Sequence, residues 1–182
     1  MQIGKLDFEK FESGASFLAQ PVKDKIIQMS EEEQSLCFVA QIDKEDMGGQ
    51  DLCDKYEIDT KIGVNCLIVK GKLNGEFIYC ALLVPVGNRY DINGVLKNKL
   101  GCRMSVAPLD EVLEITKMEY GSITPVGLPN EWLKFADPKI FEQEYIICGG
   151  GKQTSKLSIP TKFLEKYCNV EKLIGLALNT TI

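Results

Sequence analysis

Within Gly121-Ser-Ile-Thr-Pro-Val-Gly127 stand two glycines, a proline and two hydroxyl side chains. This composition can turn backbone N–H groups towards a bound carbonyl oxygen, because glycine lets the backbone approach without an intervening Cβ and proline holds the turn. One pre-placed donor facing a developing oxyanion is worth about 3 kcal/mol, roughly a hundredfold or more in rate. Side-chain chemistry is more restricted. The chain of 182 residues contains no histidine, which removes Ser-His-Asp and Cys-His catalysis and most zinc chemistry. The cysteines Cys37, Cys53, Cys66, Cys80, Cys102, Cys148 and Cys168 show no Cys-x-x-Cys spacing, so neither a disulfide framework nor a metal site is expected. Cys37, Cys66, Cys80 and Cys148 fall in apolar, strand-like runs, where a thiol packs as a small hydrophobe. Gly149-Gly150-Gly151 lacks the spacing of a P-loop, and Gly87 to Gly94 lacks that of a dinucleotide fold. Nucleotide hydrolysis is therefore not expected, and no cofactor is implied.

These groups need a scaffold, and local patterns outline one. Val64–Lys70 and Phe77–Val86 read as strands joined through Asn74-Gly75, the dipeptide suited to a type I′ hairpin turn. Asp91 can cap a helix running to Leu100, which Gly101 would end. Strands are expected at Leu36–Ile42, Met104–Val106, Glu144–Cys148, Leu157–Ile159 and Val170–Ile174. Helices are expected at Gln50–Tyr56, Pro108–Thr116, from Glu131, and at Pro160–Lys166. Residues 1–34 read as an N-terminal helical extension, with Pro21 starting a helix that carries Val22, Ile26, Ile27 and Met29. Ser30-Glu-Glu-Glu33 has capping-box spacing, but a strand follows so soon that it reads as a solvated linker. The expected whole is a single α/β domain, residues 35–182 after the extension, with a mixed, largely antiparallel, partly closed sheet flanked by helices.

Composition narrows the setting. Hydrophobic residues make up 45% and charged residues 26% of the chain, the balance of a soluble globular protein, and unpaired cysteines fit the cytoplasmic setting expected for it. The N-terminus lacks the basic start and apolar run of a signal peptide, and no apolar stretch is long enough for a bilayer. A formal charge of -5 argues against DNA or other nucleic acid gripped along its backbone, while allowing contact with a nucleic-acid end.

The stretch from Thr116 to Pro129 resembles the loop of the YbaK-like and prolyl-tRNA-synthetase-associated domains, with Gly121, Ser122, Thr124, Pro125 and Gly127 on the family's pattern. The Asn74-Gly75 hairpin, the Tyr90-Asp91-Ile92 helix start, Ala107-Pro108 and the Gly150-Gly151-Lys152 turn before Leu157 extend the resemblance over residues 36–175. It implies an aminoacyl-tRNA deacylase that hydrolyses the ester of mischarged tRNA, with a tRNA ribose hydroxyl helping to activate the water. The implied partners are the aminoacylated acceptor end of tRNA and an aminoacyl-tRNA synthetase. Gly121, Ser122 and Lys156 are then the catalytic candidates, and Asn65, Ile123, Thr124, Pro125, Gly127, Gly149 and Gly150 the substrate-binding ones.

Two positions depart from the family pattern: Asn65 stands where many members have a lysine, and Lys156 replaces a frequent acidic residue. Lys156 is expected to take over the electrostatic role while Asn65 keeps a neutral hydrogen bond. A catalytically inactive binding module for an aminoacyl or nucleotide-like ligand or a synthetase is the alternative. A cysteine hydrolase is disfavoured for want of a histidine to form the thiolate. Arg89, Lys97, Lys99 and Arg103 could contact acceptor-end phosphates, and Lys117, where family members often have glycine, could join them.

Overall fold

The computed structural model describes residues 1–180. Three two-residue strands, β1 (Gln2–Ile3), β2 (Leu6–Asp7) and β3 (Glu9–Lys10), open the chain. They are followed by α1 (Phe11–Gly14), α2 (Gln20–Ile27), α3 (Glu31–Gln34), β4 (Phe38–Gln41) and α4 (Gly49–Tyr56). The long strands β5 (Val64–Leu73) and β6 (Glu76–Pro85) precede β7 (Asn88–Tyr90) and a π-helical turn, Ile92–Leu96, that runs into α5 (Lys97–Leu100). Then come β8 (Met104–Val106), α6 (Leu109–Thr116), β9 (Leu133–Ala136), β10 (Tyr145–Gly149), β11 (Ser155–Pro160), α7 (Lys162–Cys168), β12 (Glu171–Lys172) and β13 (Ala177–Asn179).

Two sheets dominate this mixed α/β domain. One is antiparallel in the order β10-β11-β4-β3; the other runs β12-β9-β6-β5-β8, with its β12-β9 and β9-β6 pairs parallel. They meet at a parallel bridge between Gly63 and Ile147 and are not closed into a barrel. A shared core fills the space between them, including Val39, Ile68, Leu83, Leu157 and Phe163. No described helix is long and apolar enough to cross a membrane.

The hairpin forms where Asn74-Gly75 places it, with φ of 51° and 91° at the two residues and Leu73 facing Glu76. Positive φ at both central positions is what the type I′ turn demands. Asp91 accepts from the N–H groups of Gly94 at 2.8 Å and Val95 at 3.1 Å, and Gly101 ends α5 at φ 70°.

Three local expectations are corrected. Residues 1–34 are only partly helical: β3 pairs with β4, and Phe11, Leu18, Val22, Ile26 and Met29 enter the shared core. Ser30-Glu33 is a capped turn of helix rather than a linker. Ser30 Oγ accepts from Glu33 N at 3.3 Å, while the Glu33 carboxylate accepts from Ser30 N and from Lys166 Nζ. The helix expected from Glu131 is instead the strand β9, which lies parallel to β6 with Leu133 opposite Cys80. Its pattern is obscured by buried Lys134, whose ammonium donates to the carbonyls of Pro129 and Trp132.

Candidate active site

Where the two sheets meet, a cavity of about 480 Å³ opens between β5, β10, β11, the start of α4, α6 and the 120–123 loop. From β5 come Asn65, Cys66 and Ile68; from β10, Ile147, Cys148 and Gly149; from β11, Lys156. Gly48, Gly49, Leu52 and Cys53 from the start of α4, with Val106, Leu109, Tyr120, Gly121 and Ile123, are also in the lining. Lys156 is the only charged side chain in this lining, among the described residues.

Lys156 sits in an inner strand of its sheet, opposite Gly149 on one side and Ala40 on the other. Its side chain is 5% exposed and Nζ donates to the Met47 carbonyl at 2.7 Å. No carboxylate pairs with it among the described residues. Burial pushes the amine below the ordinary lysine range.

The 119–127 loop is pinned to the turn after β10. Gly151 N donates to the Ser122 carbonyl at 3.0 Å, Glu119 N to the Gly151 carbonyl at 2.8 Å, and Gln153 N to the Glu119 carboxylate at 2.7 Å. Gly149 is required by this contact, since a Cβ there would lie 2.4 Å from the Ser122 carbonyl oxygen. Gly121 takes φ 75° beside Met47. Among the described residues the N–H groups of Gly121 and Ile123 donate to no protein acceptor, and both residues line the cavity.

The expected site residues thus divide. Asn65, Gly121, Ile123, Gly149 and Lys156 line the cavity; Ser122, Thr124, Pro125, Gly127 and Gly150 lie behind it. The Ser122 hydroxyl, expected among the catalytic groups, is buried without a hydrogen-bond partner among the described residues, and Thr124 donates to Cys148 Sγ at 3.3 Å. Gly127, at φ 86°, packs on the Pro21 carbonyl, and the Gly150 carbonyl accepts from Ala19 N. These residues hold the loop rather than face the cavity. Asn65 packs against Gly49, where a Cβ would meet its Oδ1 at 2.4 Å. That contact ties β5 to the first residue of α4, a helix that no side chain caps. The Gly48-Gly49 pair reads in sequence only as a chain break.

Arg89, Lys97, Lys99 and Arg103 do not line the cavity, and Lys99 pairs with Glu171 at 3.4 Å. Lys117 ends α6 at φ 55°, a conformation that glycine enters without strain. Burial pushes the Cys148 thiol up to about 11, and raises Cys53 and Cys66 as well. The cavity therefore holds thiols rather than thiolates, and offers no cysteine nucleophile at neutral pH.

The model of the aminoacyl-tRNA editing domain family matches residues 45–167. Among solved structures, a candidate trans-editing enzyme for prolyl-tRNA synthetase superposes with a TM-score of 0.70 at 18% identity, covering 86% of this chain and 97% of that one. A scaffold protein used for computational epitope grafting gives 0.72 at 17% identity over 86% of this chain and 95% of its own. The protein APE2540 gives 0.68 at 20% identity over 82% and 98%. At these identities the superpositions establish the fold. None of the curated proteins matches the chain.

Proposed function

The chain belongs to the family of aminoacyl-tRNA editing domains, and from that membership we propose a trans-editing deacylase that hydrolyses the ester of mischarged tRNA. The observation that carries this reading is the cavity itself, which joins two uncommitted loop N–H groups to a buried lysine. Water attacks the ester carbonyl carbon, and the oxyanion that forms lies against the N–H groups of Gly121 and Ile123. The bond to the ribose oxygen then breaks, that oxygen takes the proton, and a free amino acid and an uncharged tRNA end leave. An aminoacyl ester is an activated bond, so positioning of water and oxyanion stabilisation supply the rate without a side-chain nucleophile. A tRNA ribose hydroxyl assists the water. Lys156 adds positive potential, and Asn65 holds α4 and its glycine pair at the wall. The setting is cytoplasmic, and a synthetase is the proposed partner that hands over the charged tRNA.

Asn65 favours one alternative, a binding module of the same fold, because the lysine of many family members is absent there. A panel of alanyl-, cysteinyl- and seryl-tRNAs, extended to other charged species, separates the two when treated with wild type, Lys156→Ala and Asn65→Ala. Hydrolysis of a subset, falling at least about tenfold in either variant, is the expected result. A wild type that binds charged tRNA and leaves every ester intact replaces the deacylase with the binding module.

A further inference from the structure

Lys156 lies in the wall of an otherwise uncharged cavity, with no anion to meet it among the described residues. A cation taken out of water is retained at low cost only when it is hydrogen-bonded and paired. Nζ has the Met47 carbonyl at 2.7 Å, and the remaining donors of the ammonium have no acceptor among the described residues. At 5% exposure little solvent reaches the side chain. The lining contains no aspartate or glutamate, and burial keeps the nearby Cys53 and Cys148 thiols protonated. In the same wall α4 begins at Gly49, and the Asp51 carboxylate of its first turn lies beside Gly48, outside the lining, and offsets the positive end of that helix. Among the described residues no acidic side chain lines the cavity to pair with a basic acyl side chain, and the unpaired Lys156 ammonium favours a negative one.

Resting on the deacylase reading, we propose that the acyl group this cavity accepts is acidic, aspartyl or glutamyl, with its side-chain carboxylate paired to Lys156. Leu52, Val86 and Ile147 give its methylene groups an apolar bed. The carboxylate neutralises Lys156, which leaves the oxyanion to the N–H groups of Gly121 and Ile123. Asparaginyl and glutaminyl groups have the same shape without the charge, and a site built for a charged pair discriminates against them by about tenfold or more. A basic acyl side chain is repelled.

The test compares kcat/KM for aspartyl- against asparaginyl-tRNA and for glutamyl- against glutaminyl-tRNA, with alanyl-tRNA as reference. Wild type, Lys156→Met and Lys156→Arg are assayed, and stable amide analogues, 3′-aspartylamido- and 3′-asparaginylamido-3′-deoxyadenosine, are titrated in parallel. The expected result is an acidic preference of about tenfold or more in wild type, lost in Lys156→Met and largely kept in Lys156→Arg. The wild-type comparison of isosteres stands even where a variant fails to fold. Wild type that cleaves alanyl- or asparaginyl-tRNA as well as the acidic species overturns the acidic acyl group and leaves the deacylase intact. If no ester is cleaved, the deacylase falls and the amides decide: tighter binding of the aspartyl analogue supports the pairing, and equal binding overturns it.

Discussion

Burial drives the Lys156 amine below the ordinary lysine range because the charged form loses its hydration, and no anion in the wall compensates. The groups facing it are the Met47 carbonyl and the thiols of Cys53 and Cys148. Since the amine is more basic in the unfolded chain, the cost is fully present below the depressed folded value and is relieved as pH rises from there towards 10.5. Lys156→Met removes the charge and keeps an apolar side chain of similar length. Its unfolding midpoint at pH 7 is expected to rise by roughly 2–4 °C, with the gain shrinking towards pH 10. Scanning calorimetry at the two pH values checks this, and a midpoint lowered at pH 7 would show that the Met47 hydrogen bond outweighs the buried charge. In the sequence, Lys156 and Asn65 were visible as departures from a family pattern. The depth of Lys156 was not, because its hydrogen-bond partner lies 109 positions away. Which loop residues line the cavity was not legible either: Gly121 and Ile123 line it, while Ser122 and Thr124 are buried outside its lining.

Elements written in short-range chemistry were legible, as the Asn74-Gly75 hairpin and the Asp91 cap show. Elements defined by distant partners were not. β9 exists because β6 offers it a parallel edge, and its own four residues, Leu-Lys-Phe-Ala, carry neither strict alternation nor a turn signal. α3 is a middle case, with its capping box in the sequence and its tertiary anchor out of sight on α7. There Glu33 receives the Lys166 ammonium at 2.5 Å and the Tyr167 hydroxyl. The Lys166 bond first, then those of Tyr167 and Ser30, pull the carboxyl down to about 2 from 4.5. A depressed folded value means that the carboxylate's stabilisation is complete above about 4.5 and is lost as pH falls towards 2. Glu33→Gln is therefore expected to be less stable than wild type near neutrality and to converge on it in that acid window. Asp46 and Glu111 are also depressed, and are unchanged in both proteins, so the difference isolates Glu33. Urea midpoints measured across pH 2–6 check this, and parallel curves for the two proteins would rule out the α3–α7 anchor.

Across the whole molecule, the family match begins at residue 45, yet the core shared by the two sheets begins at Phe11. Val22 and Ile26 of α2 are fully buried, with Leu18, Ala19 and Met29 beside them. The site depends on the same segment: Gly127 packs on the Pro21 carbonyl, a Cβ at Gly151 would lie 2.5 Å from that of Ala19, and the Gly150 carbonyl accepts from Ala19 N. Truncating one large buried aliphatic side chain costs about 2–5 kcal/mol, and a domain of this kind is stable by only about 5–15 kcal/mol. Deleting residues 1–34 removes several such side chains at once and uncovers the face they pack on. A chain starting at residue 35 is expected to lose its cooperative urea transition and to bind a hydrophobic dye, with any deacylation lost alongside. A truncated chain that unfolds cooperatively within a few degrees of the full protein would make the first 34 residues a separable extension. The opposite result makes them part of the scaffold that holds the Gly121–Gly127 loop against the cavity, so the cavity loop rests on residues outside the matched segment.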